Sequence, residues 1–272
     1  KVTLVTRSHL FPGAEPEVSG ALTDAFAAEG ITLLTGLSYE NVRRDASGVT
    51  LRVMQGGEPV EVTADHLVST AGRRANTDSM GLDEVGVKTD ARGSIVIGDD
   101  MQTSVPGIYA AGDVTDRDQF VYMAAYGAKL AVKNAVLGDD QRYDNSAMPW
   151  VVFSDPQIAG VGLSEQQARD AGFDVKTSVV PLDQVPRALA ARDTRGLIKL
   201  VADKKTDKLL GGQIIAPEGS DTIQTLVMAL KFGMTTKDLG ATIFPYLTTV
   251  EGLKLAAQTF DMDVAKLSCC AG

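Results

Sequence analysis

The pattern of apolar and polar positions divides the chain into three textures. KVTLVTRSHLF reads as a buried strand that runs into a polar turn. Residues 17–29 then place apolar side chains at helical spacing and stop at Gly30, a residue free to take the left-handed conformation that closes helices. ITLLTG is a second short apolar strand, and strand–helix–strand is the unit from which parallel sheets are built. GVTLRVM, a turn at Gly56-Gly57 and PVEVTADHLVST predict a β-hairpin and a returning buried strand.

Near residue 71 turn residues take over. AGRRANTDSMGL is turn-rich, GSIVIGDDMQTSVPGIYAAGD predicts two short strands, and residues 119–137 predict a long alanine-rich helix ended by Gly138. A polar stretch through Asp139, Asp140, Asp144 and Asn145 leads to Pro149 and marks a boundary. Beyond Trp150 the pattern is α+β. VVF, FDVKTSVV, GLIKLVAD and KLLGGQIIA read as strands, and SEQQARDAG as a helix capped by Ser164 and stopped by Gly172. SDTIQTLVMALKFG, TTKDLGAT and VEGLKLAAQTF supply three further helices. The fold class expected is α/β passing into α+β, in pieces 1–71, 72–148 and 149–272.

Composition narrows the partners. The 272 residues are 44% hydrophobic and 22% charged, enough for a buried core. A net charge of −9 repels phosphate backbones and anionic lipid, so neither a nucleic acid nor a membrane partner is expected. No apolar run approaches the roughly 18 residues that span a bilayer. The first residues read as a strand rather than a leader, so the chain is expected to be the C-terminal part of a longer protein. Its two cysteines are adjacent, which excludes a disulfide scaffold and predicts a thiol protein of the reducing cytoplasm. Two histidines, His9 and His66, leave no multi-histidine metal site.

Three groups of residues carry chemistry. The phosphate-binding fingerprint G-x-G-x-x-G is missing, and Gly160-Val161-Gly162 is its nearest approach. The first strand nevertheless has the character of the second strand of a dinucleotide domain, whose end holds an acid when the ribose hydroxyl of NAD is bound. Here it ends Thr6-Arg7-Ser8: Arg7 can pair with a 2′-phosphate and Ser8 can donate a hydrogen bond, which favours NADPH. The alternative is a surface arginine after a strand. TSVPGIYAAGDVT, residues 103–115, ends a strand in Gly-Asp and sets the carboxylate of Asp113 beside a tight turn, suited to a ribityl hydroxyl. Cys269 and Cys270 have Cα atoms about 3.8 Å apart, below the usual disulfide span of roughly 4.4–6.8 Å. Their disulfide would be easily reduced, leaving two soft thiolates suited to a soft metal such as Hg(II); the alternative is an inert tail.

TSVPGIYAAGDVT and STAGRRANT (69–77) resemble the second flavin-contact motif and its neighbour in the pyridine nucleotide–disulfide oxidoreductases, with Arg74 where proline is usual. The resemblance implies that Asp113 holds the ribityl chain of FAD and that backbone near Val121 reaches the flavin ring. The helix that follows would aim its positive end at the ring's C2 carbonyl. FPYLTTVEGLKLAAQTF (244–260) resembles the segment that carries a His–Glu acid–base dyad in thiol-reducing members. Tyr246 occupies the histidine place and Glu251 keeps the glutamate. A tyrosine with a pKa of about 10 cannot act as base near neutral pH, whereas metal capture needs none because thiolate ligands form as protons leave. Tyr246 as an interface aromatic without chemistry is the alternative.

With VTLVTRSHLF, the Pro149–Gly162 segment, VPRALAARDTRGLIKLV and terminal SCCAG, the resemblance runs to the mercuric reductases along essentially the whole chain. It implies an incomplete Rossmann-like NADPH domain in 1–71, an FAD-contacting segment in 72–148 and an α+β dimerisation domain with a metal-binding tail in 149–272. A homodimer would draw reducing power from NADPH through FAD and take Hg(II) from thiol complexes. Cys269 and Cys270 of one subunit would capture the metal and pass it to inner cysteines of the partner, with Tyr246 near the path, for reduction to Hg(0). The FAD half and its redox Cys-x-x-x-x-C are not among these residues, so the 272 residues alone are expected to be inactive. Two other readings stay open: a non-catalytic dimeric thiol module that binds metal, and a disulfide reductase of the lipoamide dehydrogenase or glutathione reductase type.

Overall fold

The computed structural model describes residues 1–46 and 48–262. They form two compact units, one of residues 1–67 together with 146 onward and one of residues 68–145. The opening pattern folds as read: β1 (Thr3–Val5) pairs in parallel with β2 (Thr32–Leu34) through α1 (Pro16–Ala28). Pro16 presets the first helical turn, Val18, Leu22 and Ala25 bury one stripe, and Gly30 at φ 80° ends the helix region. β3 (Leu37–Asp45), β4 (Gly48–Gln55) and β5 (Glu58–Ala64) make an antiparallel meander, turning through Gly56 and Gly57 at φ 60° and 90°.

One strand in this stretch is not anticipated and one expectation fails. β3 escaped the sequence reading because LSYENVRRD exposes every position after Leu37; pairing with β4 holds it rather than burial. The returning buried strand does not form: β5 ends at Ala64, and Val68 is 82% exposed. No strand pairing involves residues 65–70 among those described, and an unpaired apolar run cannot bury both its faces.

In the second unit the two predicted strands of residues 93–113 reduce to isolated bridges, such as Ile97 with Thr103 and Gln102 with Tyr109. Turns interrupt them too often for a ladder, and Met101 itself sits at φ 68°. The alanine-rich helix is α2 (Val121–Val132), widening to a π turn over Lys133–Leu137 before Gly138 at φ 70°. Met101, Leu130 and Ala131 form its small core, and Asn134 ties three backbone groups of Asp100 and Gln141 at 2.9–3.0 Å.

The rest of the chain builds one antiparallel sheet. Its strands are β6 (Pro149–Val152), β7 (Gln157–Gly162), β8 (Val175–Pro181), β9 (Leu197–Asp203) and β10 (Leu209–Ala216), in the order β6-β7-β10-β9-β8. Between and after them lie α3 (Glu165–Asp170), α4 (Pro186–Ala191), α5 (Gly219–Lys231), α6 (Thr236–Ala241) and α7 (Glu251–Gln258). Gly160-Val161-Gly162 lies in β7 and is no phosphate loop; a Cβ on Gly160 would sit 2.2 Å from the Trp150 ring.

Alternation along β10 shows how the sheet is covered. Ile214 points into a core with Ile198, Leu226 and Leu253, while Ile215 joins Ile158, Leu10, Val18 and Leu22. α1 therefore packs on one face of the C-terminal sheet, and α5 and α7 lie against the other. The N-terminal strand–helix–strand shares a core with the sheet almost 150 residues later, which explains why both fall in one compact unit.

Candidate functional site

The chemistry-bearing residues occupy three places. The first is the carboxyl end of β1, where ligands meet open α/β sheets. Arg7 and Ser8 are exposed there, and the backbone carries the local order: Thr6 donates to the carbonyl of Leu34 at 2.9 Å and Gly36 to that of Ser8 at 3.3 Å. A guanidinium on a fixed backbone, open to solvent, suits an anionic group.

The second lies within residues 68–145. Gly112, at φ 82°, turns the chain so that Asp113 follows at the start of a short 3-10 turn. A side chain at Gly112 would press on the Ala124 Cβ at 3.2 Å, so glycine lets this turn lie against α2. The Asp113 carboxylate accepts from Arg73 Nη1 at 3.0 Å, and the same nitrogen donates to the carbonyl of Gln119 at 3.0 Å. Arg73 thus joins the turn to Gln119, two residues before α2, a role that STAGRRANT alone does not reveal. α2 starts at Val121 without a side-chain cap, and Val121 is 85% exposed. The Val121 amide lies at this exposed start, with the positive end of the helix behind it. A half-exposed carboxylate beside an uncapped helix start fits a flavin's hydroxylated chain and electronegative ring edge.

Nearby, Asp118 accepts from the Tyr143 hydroxyl at 3.0 Å and from Asn145 at 2.8 Å. Burial and that bond to Asp118 push the Tyr143 hydroxyl well above the usual tyrosine range, so it stays a donor. Its role is to hold residues 143–145 to the turn before α2.

The third place is a depression of about 750 Å³ lined by Thr236, Ile243, Phe244, Tyr246, Glu251 and Lys254 among others. Tyr246 stands at its rim, 61% exposed, whereas Glu251 at the first turn of α7 is 4% exposed. Leu247, at φ 64°, donates its N–H to Glu251 Oε2 at 3.3 Å, and Thr249 donates its hydroxyl to Glu218. The loop is thus folded back on its own glutamate, with the tyrosine turned outward. Cys269 and Cys270 lie outside the described residues. Among the described residues no group of three or more His, Cys, Asp or Glu is arranged to hold a metal. No described helix is long and apolar enough to cross a membrane.

Residues 1–131 match the pyridine nucleotide-disulphide oxidoreductase family, and residues 148–257 match the dimerisation domain of that family. The chain is 48% identical to a mercuric reductase of Bacillus cereus, aligned over all of this chain and 43% of that one. Mercuric reductases of Staphylococcus aureus and Streptomyces lividans are 44% and 45% identical, again over the whole chain and over 50% and 57% of theirs. The chain spans about half the length of the curated relatives it matches. Among solved structures, LpdA of Mycobacterium tuberculosis superposes with a TM-score of 0.85 at 26% identity, over 95% of this chain and 56% of that one. The HOCl-induced flavoprotein disulfide reductase RclA of Escherichia coli gives 0.83 at 26% identity, over 95% and 59%.

Proposed function

The chain belongs to the pyridine nucleotide-disulphide oxidoreductase family, and from that premise we propose that it serves an NADPH- and FAD-dependent mercury(II) reductase. The observation that carries the reading is Tyr246, exposed above a buried Glu251 where a thiol-reducing enzyme would need a base. The net reaction is NADPH + Hg(II) → NADP⁺ + H⁺ + Hg(0), two electrons leaving the nicotinamide and two arriving at the metal.

Each group of residues has a part. Arg7 pairs with the 2′-phosphate of NADPH and Ser8 donates to it. Asp113 accepts from a ribityl hydroxyl, and the Val121 amide at the start of α2 donates to the flavin ring edge. FAD, when bound, supplies the two-electron relay between coenzyme and metal. Cys269 and Cys270 lose their protons as they take Hg(II) from thiol complexes, so capture needs no separate base. Two copies joined through residues 149–272 form the enzyme, each tail serving the other subunit. A capture site of two adjacent thiols suits a reducing compartment such as the cytoplasm.

The test is to follow NADPH oxidation and Hg(0) release together in the intact enzyme. They should match one to one. A Cys269→Ala/Cys270→Ala variant should lose most activity when external thiols compete for Hg(II). Hg(0) release that is unaffected by that variant under competition would remove the tail from the mechanism.

A further inference from the structure

We infer that Lys199 is a positioning residue for the coenzyme: from the C-terminal sheet it locks in place the loop that carries Arg7 and Ser8. The inference rests on reading Arg7 as the partner of the 2′-phosphate.

Lys199 lies in β9 and is 1% exposed. A buried ammonium is strongly destabilising unless its donors are met by charge. Its Nζ meets Glu15 Oε2 at 3.1 Å, Glu17 Oε1 at 2.9 Å and Glu165 Oε2 at 3.0 Å. Two of these carboxylates stand at the start of α1, Glu15 as the residue that ends the loop after β1 and Glu17 in the first helical turn. Glu15 is itself buried: its Oε1 accepts the backbone N–H of Glu165 at 2.6 Å, and its own N–H donates to Gln213 Oε1 at 2.7 Å. Arg169 holds Glu165 in turn at 2.7 Å.

The loop between Ser8 and Glu15 is short and anchored along its length. Leu10 is packed with Ile158 and Ile215, and its carbonyl accepts the Ser19 hydroxyl at 2.5 Å. Phe11 lies against Trp150, ring centres 5.2 Å apart. At the far end of α1, Glu29 pairs with Arg195 at 2.9 Å. Besides Ser19 and Gly36, the anchoring groups come from the C-terminal sheet or its connections, far along the chain. The exposed guanidinium of Arg7 therefore projects from a backbone held on one side by β2 and its end and on the other by a loop that the C-terminal sheet anchors. Lys199 touches no coenzyme; it fixes where the coenzyme's partner stands, so its loss should weaken coenzyme capture and leave the later chemistry alone.

The test uses the intact enzyme with Lys199→Met, Glu17→Gln and Arg7→Ala, each checked for flavin absorbance and a cooperative melt. Lys199→Met should raise the KM for NADPH roughly tenfold with kcat within about twofold, and Glu17→Gln should do so to a lesser extent. If Lys199→Met does not fold, the half-exposed Glu17→Gln decides alone. Arg7→Ala should raise the same KM and lower the preference for NADPH over NADH. If Arg7→Ala has this effect while the folded clamp variants leave KM unchanged, the positioning role is wrong and the coenzyme reading stands. If Arg7→Ala changes neither value, the coenzyme reading fails and the positioning role fails with it.

Discussion

Single atoms decide the tolerance of several positions. Gly196 leads into β9 at φ 124°, and a Cβ there would lie 1.9 Å from the carbonyl oxygen of Ile215. Gly196→Ala should therefore cost about 2–4 kcal/mol, from backbone displacement and an unfavourable φ together, read as a shift in urea midpoint with unchanged slope. Leu253 has no exposed surface and fills the core between α7 and β9, so Leu253→Ala should cost about 2–5 kcal/mol in the same assay. At the flavin place the prediction concerns binding. Asp113→Ala removes an acceptor of charge-assisted hydrogen bonds, each worth about 1.5–3 kcal/mol, and should weaken flavin retention roughly ten- to a hundredfold, measured as absorbance lost on dialysis. Tyr246 was visible in the sequence as a substitution at a recognisable position, because a motif constrains residue type and spacing. Its exposure above a buried Glu251 was not, since that depends on the turn at Leu247.

Helix starts and strand pairings set the next scale. α3 opens with a reciprocal cap: the Gln167 N–H donates to Ser164 Oγ at 3.2 Å, and the Ser164 N–H donates to Gln167 Oε1 at 2.9 Å. Ser164→Ala should cost about 1 kcal/mol. Because α3 also presents Glu165 to Glu15 and Lys199, the loss should show in hydrogen exchange at the start of α1 as well. The same contacts predict a pH response. The guanidinium of Arg169 and the ammonium of Lys199 hold the Glu165 carboxyl below its ordinary range. A depressed acid stabilises the fold above its unfolded pKa of about 4.3, and that contribution is lost as pH falls through the lower folded value. Acid unfolding should therefore be less steep in Glu165→Gln, followed by circular dichroism from pH 6 downward. Helices and apolar strands were legible here because their period matches their burial, as in α5 or β10. β3 was not, since its strand character comes from a neighbour. Gly160-Val161-Gly162 is the nearest approach to a phosphate fingerprint, but its first glycine makes room for Trp150. GLIKLVAD was read as a strand, but nothing in it reveals that its lysine meets carboxylates from an early helix.

At the scale of the molecule, sequence adjacency and structural unity part company. The first 67 residues and the segment from 146 onward share a core, while residues 68–145 form their own unit. A strand–helix–strand read as a coenzyme element is thereby built against a sheet that matches a dimerisation domain. On the proposed reading, coenzyme capture and subunit assembly rest on one folded unit, and loss of the Lys199 cluster is expected to report in the first without abolishing the second. The central claim is the choice of metal over disulfide as electron acceptor, and it is tested most directly by NADPH oxidation in the intact enzyme with Hg(II), glutathione disulfide or lipoamide as the sole acceptor. Without a base at the Tyr246 position, kcat/KM for either disulfide should fall below that for Hg(II) by roughly a hundredfold, the low end of what a positioned base contributes. A disulfide consumed faster than Hg(II) would contradict the account.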